Sequence, residues 1–184
     1  ELKQLELVHR LDRGTSGCLM VAKKMSALRD LQQLMREGKV DKRYQTLTLG
    51  HWQKDKNIVD LPLKKNTLQS GERMVRVDYE EGKASKTIFY QKDRFDASSL
   101  IEAKLITGRT HQIRVHAAQS GHPVAGDEKY GDKAFNKLMK QRGLKRLFLH
   151  ARELSFVLPW SGERFKVMAE LPEELEDVLN GLRC

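Results

Sequence analysis

A chain of 184 residues with 34 Lys+Arg against 25 Asp+Glu carries a formal charge of +9, and 39% hydrophobic residues suffice for one domain-sized core. No apolar run approaches the ~20 residues that cross a bilayer. The two cysteines, Cys18 and Cys184, form neither a disulfide framework nor a paired zinc motif. Membrane-spanning, secreted disulfide-rich and disordered classes are disfavoured, and a soluble, basic protein of a reducing, cytoplasmic setting remains.

In chain order, Leu19–Lys23 reads as a buried strand. Ser26 is placed to cap a helix from about Ala27 to Glu37, with Leu28, Leu31, Leu34 and Met35 inward and Gly38 closing it. Arg43–Leu49 alternates with strand period, Tyr44, Thr46 and Thr48 sharing one face. Glu72–Tyr79 and Ala84–Gln91 flank the turn-like Glu80-Glu81-Gly82-Lys83 and predict a hairpin. A strand over Ser98–Ile106 ends at Thr107-Gly108, and a helix follows from about Thr110 to Gln119. A further helix places Lys133, Lys137 and Lys140 on one ridge, with Phe135, Leu138 and Met139 on its apolar face. Leu147–His150, Glu153–Leu158 and Arg164–Ala169 read as late strands, Ser161-Gly162 turning between the last two. Pro172 opens a C-terminal helix whose first turn carries Glu173 and Glu174, where they favour the helix dipole. Strands outnumber helices and most neighbours look antiparallel, so the fold class expected is α+β.

The charge is uneven. Residues 101–150 hold 10 Lys+Arg and 4 Asp+Glu, while residues 151–184 hold 4 and 7. The lysine ridge is either a solvated helix face or a phosphate-tracking surface, since cations opposite phosphates dominate nucleic-acid affinity. The acidic last 34 residues are expected to face away from a polyanion.

Two segments are more polar than packing requires. One is His9-Arg10-Leu11-Asp12-Arg13-Gly14-Thr15-Ser16-Gly17, a dense turn leading into an apolar strand. The other is Gly108-Arg109-Thr110-His111-Gln112-Ile113-Arg114-Val115-His116, a glycine turn followed by a cation-rich helix start. Taken alone, Asp12 is more often a turn former than a catalyst, and an Arg on a helix is usually a solvated charge. The His111/His116 spacing is not the i, i+4 pair that binds zinc on a helix. His116, His122 and His150 read as structural.

The first segment, followed by Ala22-Lys23, closely resembles the second motif of the RluA/RluC/RluD-type RNA pseudouridine synthases. The second segment resembles their third motif, and Lys42-Arg43-Tyr44 resembles the short tyrosine-bearing motif between them. All three occur in the family's order. The stretch from Asn66 to Val77 looks most like the C branch of the family's ribosomal large-subunit members. One departure stands out: family members carry a Lys-Pro motif upstream of the catalytic loop, and many have an N-terminal S4-like RNA-binding domain. The chain is therefore expected to be a catalytic-domain fragment, residues 1–184, with its sheet incomplete.

The resemblance implies a pseudouridine synthase fold, a mixed and mostly antiparallel bent sheet around a central cleft. It implies conversion of uridine to its C-glycoside isomer in large-subunit ribosomal RNA, without cofactor or metal. Asp12 is the implied catalytic carboxylate, acting on sugar or base. Arg114 is implied to pair with Asp12, and Tyr44 to stack on the uracil and relay its C5 proton. Arg10 is the candidate to fill the space of an extruded base. Arg13, Arg109, His111, Lys129 and the Lys133/Lys137/Lys140 ridge are candidate RNA contacts. Two rival readings are a non-catalytic RNA-binding or ribosome-assembly module and a glycoside hydrolase, which wants two opposed carboxyl groups. With no heptad pattern or exposed apolar stripe, a monomer is expected.

Overall fold

The computed structural model describes residues 5–67 and 71–183. Its centre is a mixed sheet built from β4 (Asp41–Leu49), β5 (Lys56–Asp60), β8 (Lys86–Arg94), β9 (Ser98–Leu105), β10 (Leu149–Val157) and β11 (Arg164–Met168), ordered β11-β10-β4-β9-β8-β5. These neighbours are antiparallel. The short β2 (Ser16–Gly17) joins β10 in parallel through Ser16↔His150 and Gly17↔Ala151. Two small ribbons stand outside: β1 (Glu6–Leu7) with β3 (Val21–Ala22), and β6 (Leu63–Thr67) with β7 (Arg73–Val77).

Alternation along the central strands builds two layers of core. On one face Leu47, Phe95 and Leu100 pack under α3 (Lys133–Gln141) and α4 (Glu173–Arg183), through Phe135, Met139, Leu175, Val178 and Leu179. On the other, Phe89, Ile101, Ala103 and Leu105 pack against Ile113 and Ala117 of α2 (Gln112–Gln119). The helix α1 (Met25–Arg36) buries Leu28 and Leu31 against Val8, Met20 and Phe156. Leu34 and Met35 are partly buried beside them, and Gly38, at φ +68°, ends the helix as expected.

Several local expectations are corrected. Ser26 does not cap α1: the cap position is Lys24, with no side-chain cap bond. The Leu19–Lys23 segment is not buried on both faces, because Cys18, Met20 and Ala22 are buried while Leu19 and Val21 are exposed. The hairpin over 72–91 does not form. A turn closes there through Gly82 N–H to the Asp78 carbonyl at 2.9 Å, but β7 pairs with β6 and β8 with β5 and β9. Leu147–His150 and Glu153–Leu158 belong largely to one strand, β10, broken only by a bulge between Ala151 and Glu153. The helix expected from Thr110 begins at Gln112, two residues late, because His111 takes the left-handed conformation at φ 53°. Residues 68–70 of the Asn66–Val77 stretch, and Cys184, lie outside the described residues. No helix among the described residues is long and apolar enough to cross a membrane.

Candidate active site

The turn that presents Asp12 is fixed by its backbone. Thr15 N–H donates to the Asp12 carbonyl at 3.0 Å, and Gly14 takes φ +82°, which a side chain would strain. Behind the turn, Gly17 lies so close to β10 that a Cβ there would sit 2.2 Å from the Ala151 carbonyl oxygen. The loop is therefore clamped against the sheet.

A network of side chains tightens that clamp. Arg146 donates to the Gly14 carbonyl and to Ser16 Oγ, both at 2.9 Å, and its Nε meets Glu174 at 2.5 Å. Ser16 Oγ in turn bonds His150 Nδ1 at 2.8 Å, and His150 Nε2 bonds the Ala169 carbonyl at 3.0 Å. A carbonyl only accepts, so Nε2 carries the proton and Nδ1 accepts from the serine. Burial lowers the pKa of His150, consistent with this neutral form. Glu174, in the acidic segment expected to face away from a polyanion, thus reaches the loop through Arg146.

The Gly108–His116 segment is organised by Gln112. Its Oε1 accepts from Arg109 N–H and Thr107 Oγ1, and its Nε2 donates to the Lys86 carbonyl and Thr87 Oγ1. Two residues along α2, Arg114 is buried and splits its guanidinium between two carboxylates. Nε and Nη2 make a bidentate pair with Asp127 at 2.7 and 2.8 Å, while Nη1 stands 3.5 Å from Asp12 Oδ2. The Asp12–Arg114 ion pair expected from the sequence is present, but at the long end of ion-pair range and without a hydrogen bond. Asp127 is the stronger partner.

Asp127 and Tyr130 carry no assignment from the sequence. The Asp127 side chain is fully buried, accepting also from the Lys129 and Tyr130 N–H groups. Burial alone would raise its pKa; the bonds from Arg114 outweigh this and hold it below the usual carboxylate range. Tyr130 places its ring 5.0 Å from the Arg114 guanidinium carbon and bonds His111 Nδ1 at 2.8 Å. The Tyr130 hydroxyl accepts from Val75 N–H, which leaves its proton for His111. Burial lowers the His111 pKa, as suits a neutral acceptor. Of this group, only the glycines flanking the 126–131 loop mark it in the sequence.

Asp12 opens into a cavity of about 190 Å³, shared with His9, Arg10, Lys42, Tyr44, Arg109, His111 and Ile113. Tyr44 stands on β4 opposite Ala103, so the cavity lies on the α2 face of the sheet. Burial, and then the Asp12 charge, push the Tyr44 phenol up to about 12. It stays protonated at neutral pH. Arg10 and Arg109 are exposed on the cavity wall. On the other side of His111 lies a wider groove of about 640 Å³, lined by Arg13, Arg114, Lys129 and Arg146.

The remaining sequence candidates divide. Lys129 lines that groove, but its ammonium is tied to Glu72 at 2.6 Å and to the Arg73 carbonyl at 2.9 Å. Lys133, Lys137 and Lys140 are exposed on α3 and line neither the cavity nor the groove. The three histidines read as structural have structural partners: His116 bonds Thr87 Oγ1 and the Leu61 carbonyl, His122 bonds the Leu49 carbonyl and stacks on Trp52, and His150 bonds as above. Among the described residues no three His, Cys, Asp or Glu side chains are grouped to hold a metal ion.

Comparison with known proteins places the chain in a family. Residues 1–119 match the RNA pseudouridylate synthase family, and the chain belongs to that family. It is 52% identical over 179 residues to ribosomal large subunit pseudouridine synthase C of Pasteurella multocida, covering 97% of this chain and 55% of that protein. It is 49% identical over 185 residues to the Escherichia coli protein of the same name, covering 100% of this chain and 58% of that one. The chain thus spans little more than half the length of these relatives. Among solved structures, human RNA pseudouridylate synthase domain containing 4 is similar with a TM-score of 0.79 at 26% identity, covering 97% of this chain and 76% of that one. Human RNA pseudouridylate synthase domain containing 1 gives 0.76 at 27%, with 98% and 80% covered. The α+β fold expected from the sequence is the one these neighbours share.

Proposed function

We propose that this chain isomerises uridine to pseudouridine in large-subunit ribosomal RNA, with Asp12 as the catalytic carboxylate. The observation that carries the reading is that Asp12 and Tyr44 share one cavity while Arg114, held by Asp127, reaches the Asp12 carboxylate, the three coming from segments far apart in sequence. Family membership and the names of the relatives support the substrate class.

The reaction balances without redox change. The N1–C1′ bond breaks, the uracil turns, C5 bonds C1′, the C5 proton leaves and N1 takes one up. A base inside folded RNA must first be extruded, at a cost of a few kcal/mol. Arg10, exposed on the cavity wall, can stack in the space left behind. Tyr44 offers a ring face to the extruded uracil, and its phenol, pushed up to about 12, stays un-ionised. Arg114 keeps positive charge beside the Asp12 carboxylate, the group that acts on sugar or base. Arg13, Arg109 and His111 line the cavity or the adjoining groove and are proposed to contact the RNA backbone.

The test is tritium release from C5-labelled uridine in large-subunit ribosomal RNA. The protein should release tritium, and Asp12→Asn should slow release by at least about a hundredfold. Release that is absent, or present and independent of Asp12, contradicts the reading.

A further inference from the structure

Lys42 has no place in the mechanism so far, yet its setting is unusual. It sits two residues before Tyr44 on β4, so both side chains leave the same face of the strand, and both line the Asp12 cavity. Lys42 is only 8% exposed. Among the described residues its ammonium has neither an ion pair nor a hydrogen bond. Its neighbour Arg43, on the opposite face, is paired with Glu102 at 3.0 Å and Asp41 at 3.4 Å. The Lys42 pKa is lowered by burial, with no carboxylate offsetting it.

Room for the ammonium is made by a glycine. A Cβ at Gly108 would come within 2.7 Å of Lys42 Nζ. The Lys42 ammonium faces the cavity with no partner among the described residues, so a partner arriving with the substrate would complete its hydrogen bonding. The cavity of about 190 Å³ has room for a single base, and Arg10 and Arg109 are the exposed cations on its wall. Phosphates, which stay hydrated at the surface, would meet Arg109 and Arg13. Arg10 fills the space the base leaves, while the Lys42 ammonium on the cavity wall would meet the base itself. A uracil edge presents two carbonyl acceptors. When the N1–C1′ bond breaks, its electron pair leaves with the ring and spreads over N1, O2 and O4. A fixed cation at such an oxygen binds the departing ring more strongly than the intact nucleoside.

We propose that Lys42 donates a hydrogen bond to a carbonyl oxygen of the flipped uracil and stabilises the negative charge the ring carries between N1–C1′ cleavage and C5–C1′ formation. Lys42 keeps its proton throughout, and the electron pair returns to C1′ through C5. The inference rests on the proposed synthase reaction and adds the group that faces the leaving base.

The experiment compares the unmodified protein with Lys42→Met and Lys42→Gln under single-turnover conditions, on RNA carrying uridine, 2-thiouridine or 4-thiouridine at the target. Lys42→Met should slow uridine conversion at least about tenfold, corresponding to about 1.4 kcal/mol, and Lys42→Gln, which keeps a donor, should slow it less. One thio substitution, a weaker acceptor, should slow the unmodified protein and add little to Lys42→Met, as for two changes to one contact. The thermal midpoint of Lys42→Met should rise or stay level, whereas a structural lysine would lower it. Unchanged conversion, thio effects that multiply fully with Lys42→Met, or a lowered midpoint would overturn the assignment. So would a salt dependence of RNA binding reduced by about 0.7 in log–log slope, which marks a lost phosphate contact. Absence of conversion by the unmodified protein would instead overturn the synthase reading, and this inference with it.

Discussion

Two basic regions of this molecule behave in opposite ways. Around Asp12 and the adjoining groove, three cations are pinned: Arg114 by Asp127, Arg146 by Glu174 and the Gly14 carbonyl, Lys129 by Glu72. On α3, Lys133, Lys137 and Lys140 extend into solvent from a helix anchored by Phe135 and Met139. A pinned cation has a fixed position and can recognise one atom. A solvated one supplies long-range attraction that any polyanion satisfies. Equal charge therefore carries unequal information.

The largest break in this comparison is Arg114→Met. It strips the fully buried Asp127 carboxylate of its counter-charge, so stability should fall by about 3–5 kcal/mol, the usual cost of breaking a buried pair. Denaturant unfolding measures this, and a loss under about 1 kcal/mol would show that Asp127 does not depend on Arg114.

Acidification should have the next largest effect. His116 and His150 both have pKa values lowered from the ordinary 6.5, chiefly by burial, partly offset by the carbonyls they bond. Their neutral forms belong to the fold. The stability they contribute is complete above pH 6.5 and is lost as pH falls through their lowered folded values. Asp127, held below the carboxylate range, adds a further loss at still lower pH. Thermal midpoints should thus fall steadily from pH 7 toward acid, and a midpoint that rises over that interval would contradict these protonation states.

The smallest effect is expected on α3. Changing Lys133, Lys137 and Lys140 together to Gln should lower the log–log salt slope of RNA binding by at most about 2, taking roughly 0.7 per phosphate contact. Single-turnover conversion at saturating protein should be unchanged. If conversion fell instead, the ridge would belong with the pinned cations.

The two motifs were legible because each holds chemistry in consecutive residues, and the fold brings Asp12 and Arg114 to 3.5 Å. The inward face of α1 and the Phe135 and Met139 contacts of α3 followed from apolar spacing, a local property, but Leu138, expected on the same apolar face, is exposed. The strand pairing of 72–91 did not, since alternation marks a strand without naming its partner. There the turn forms and the strands part into different sheets. Asp127 was hidden for the same reason: a lone Asp between glycines resembles a turn former, and its bond to Arg114 exists only after α2 and the 126–131 loop meet. Lys42 lay within a recognised motif, but its isolation becomes visible only when its surroundings are assembled.

The central claim is that binding and chemistry are separable, with chemistry at Asp12. Single-turnover pseudouridine formation by Asp12→Asn, measured beside its RNA dissociation constant at one fixed salt concentration, tests it most directly. The account predicts a dissociation constant within about threefold of the unmodified protein, under about 0.7 kcal/mol, and conversion slower by at least about a hundredfold. Conversion near the unmodified rate, with RNA equally well bound, would contradict it.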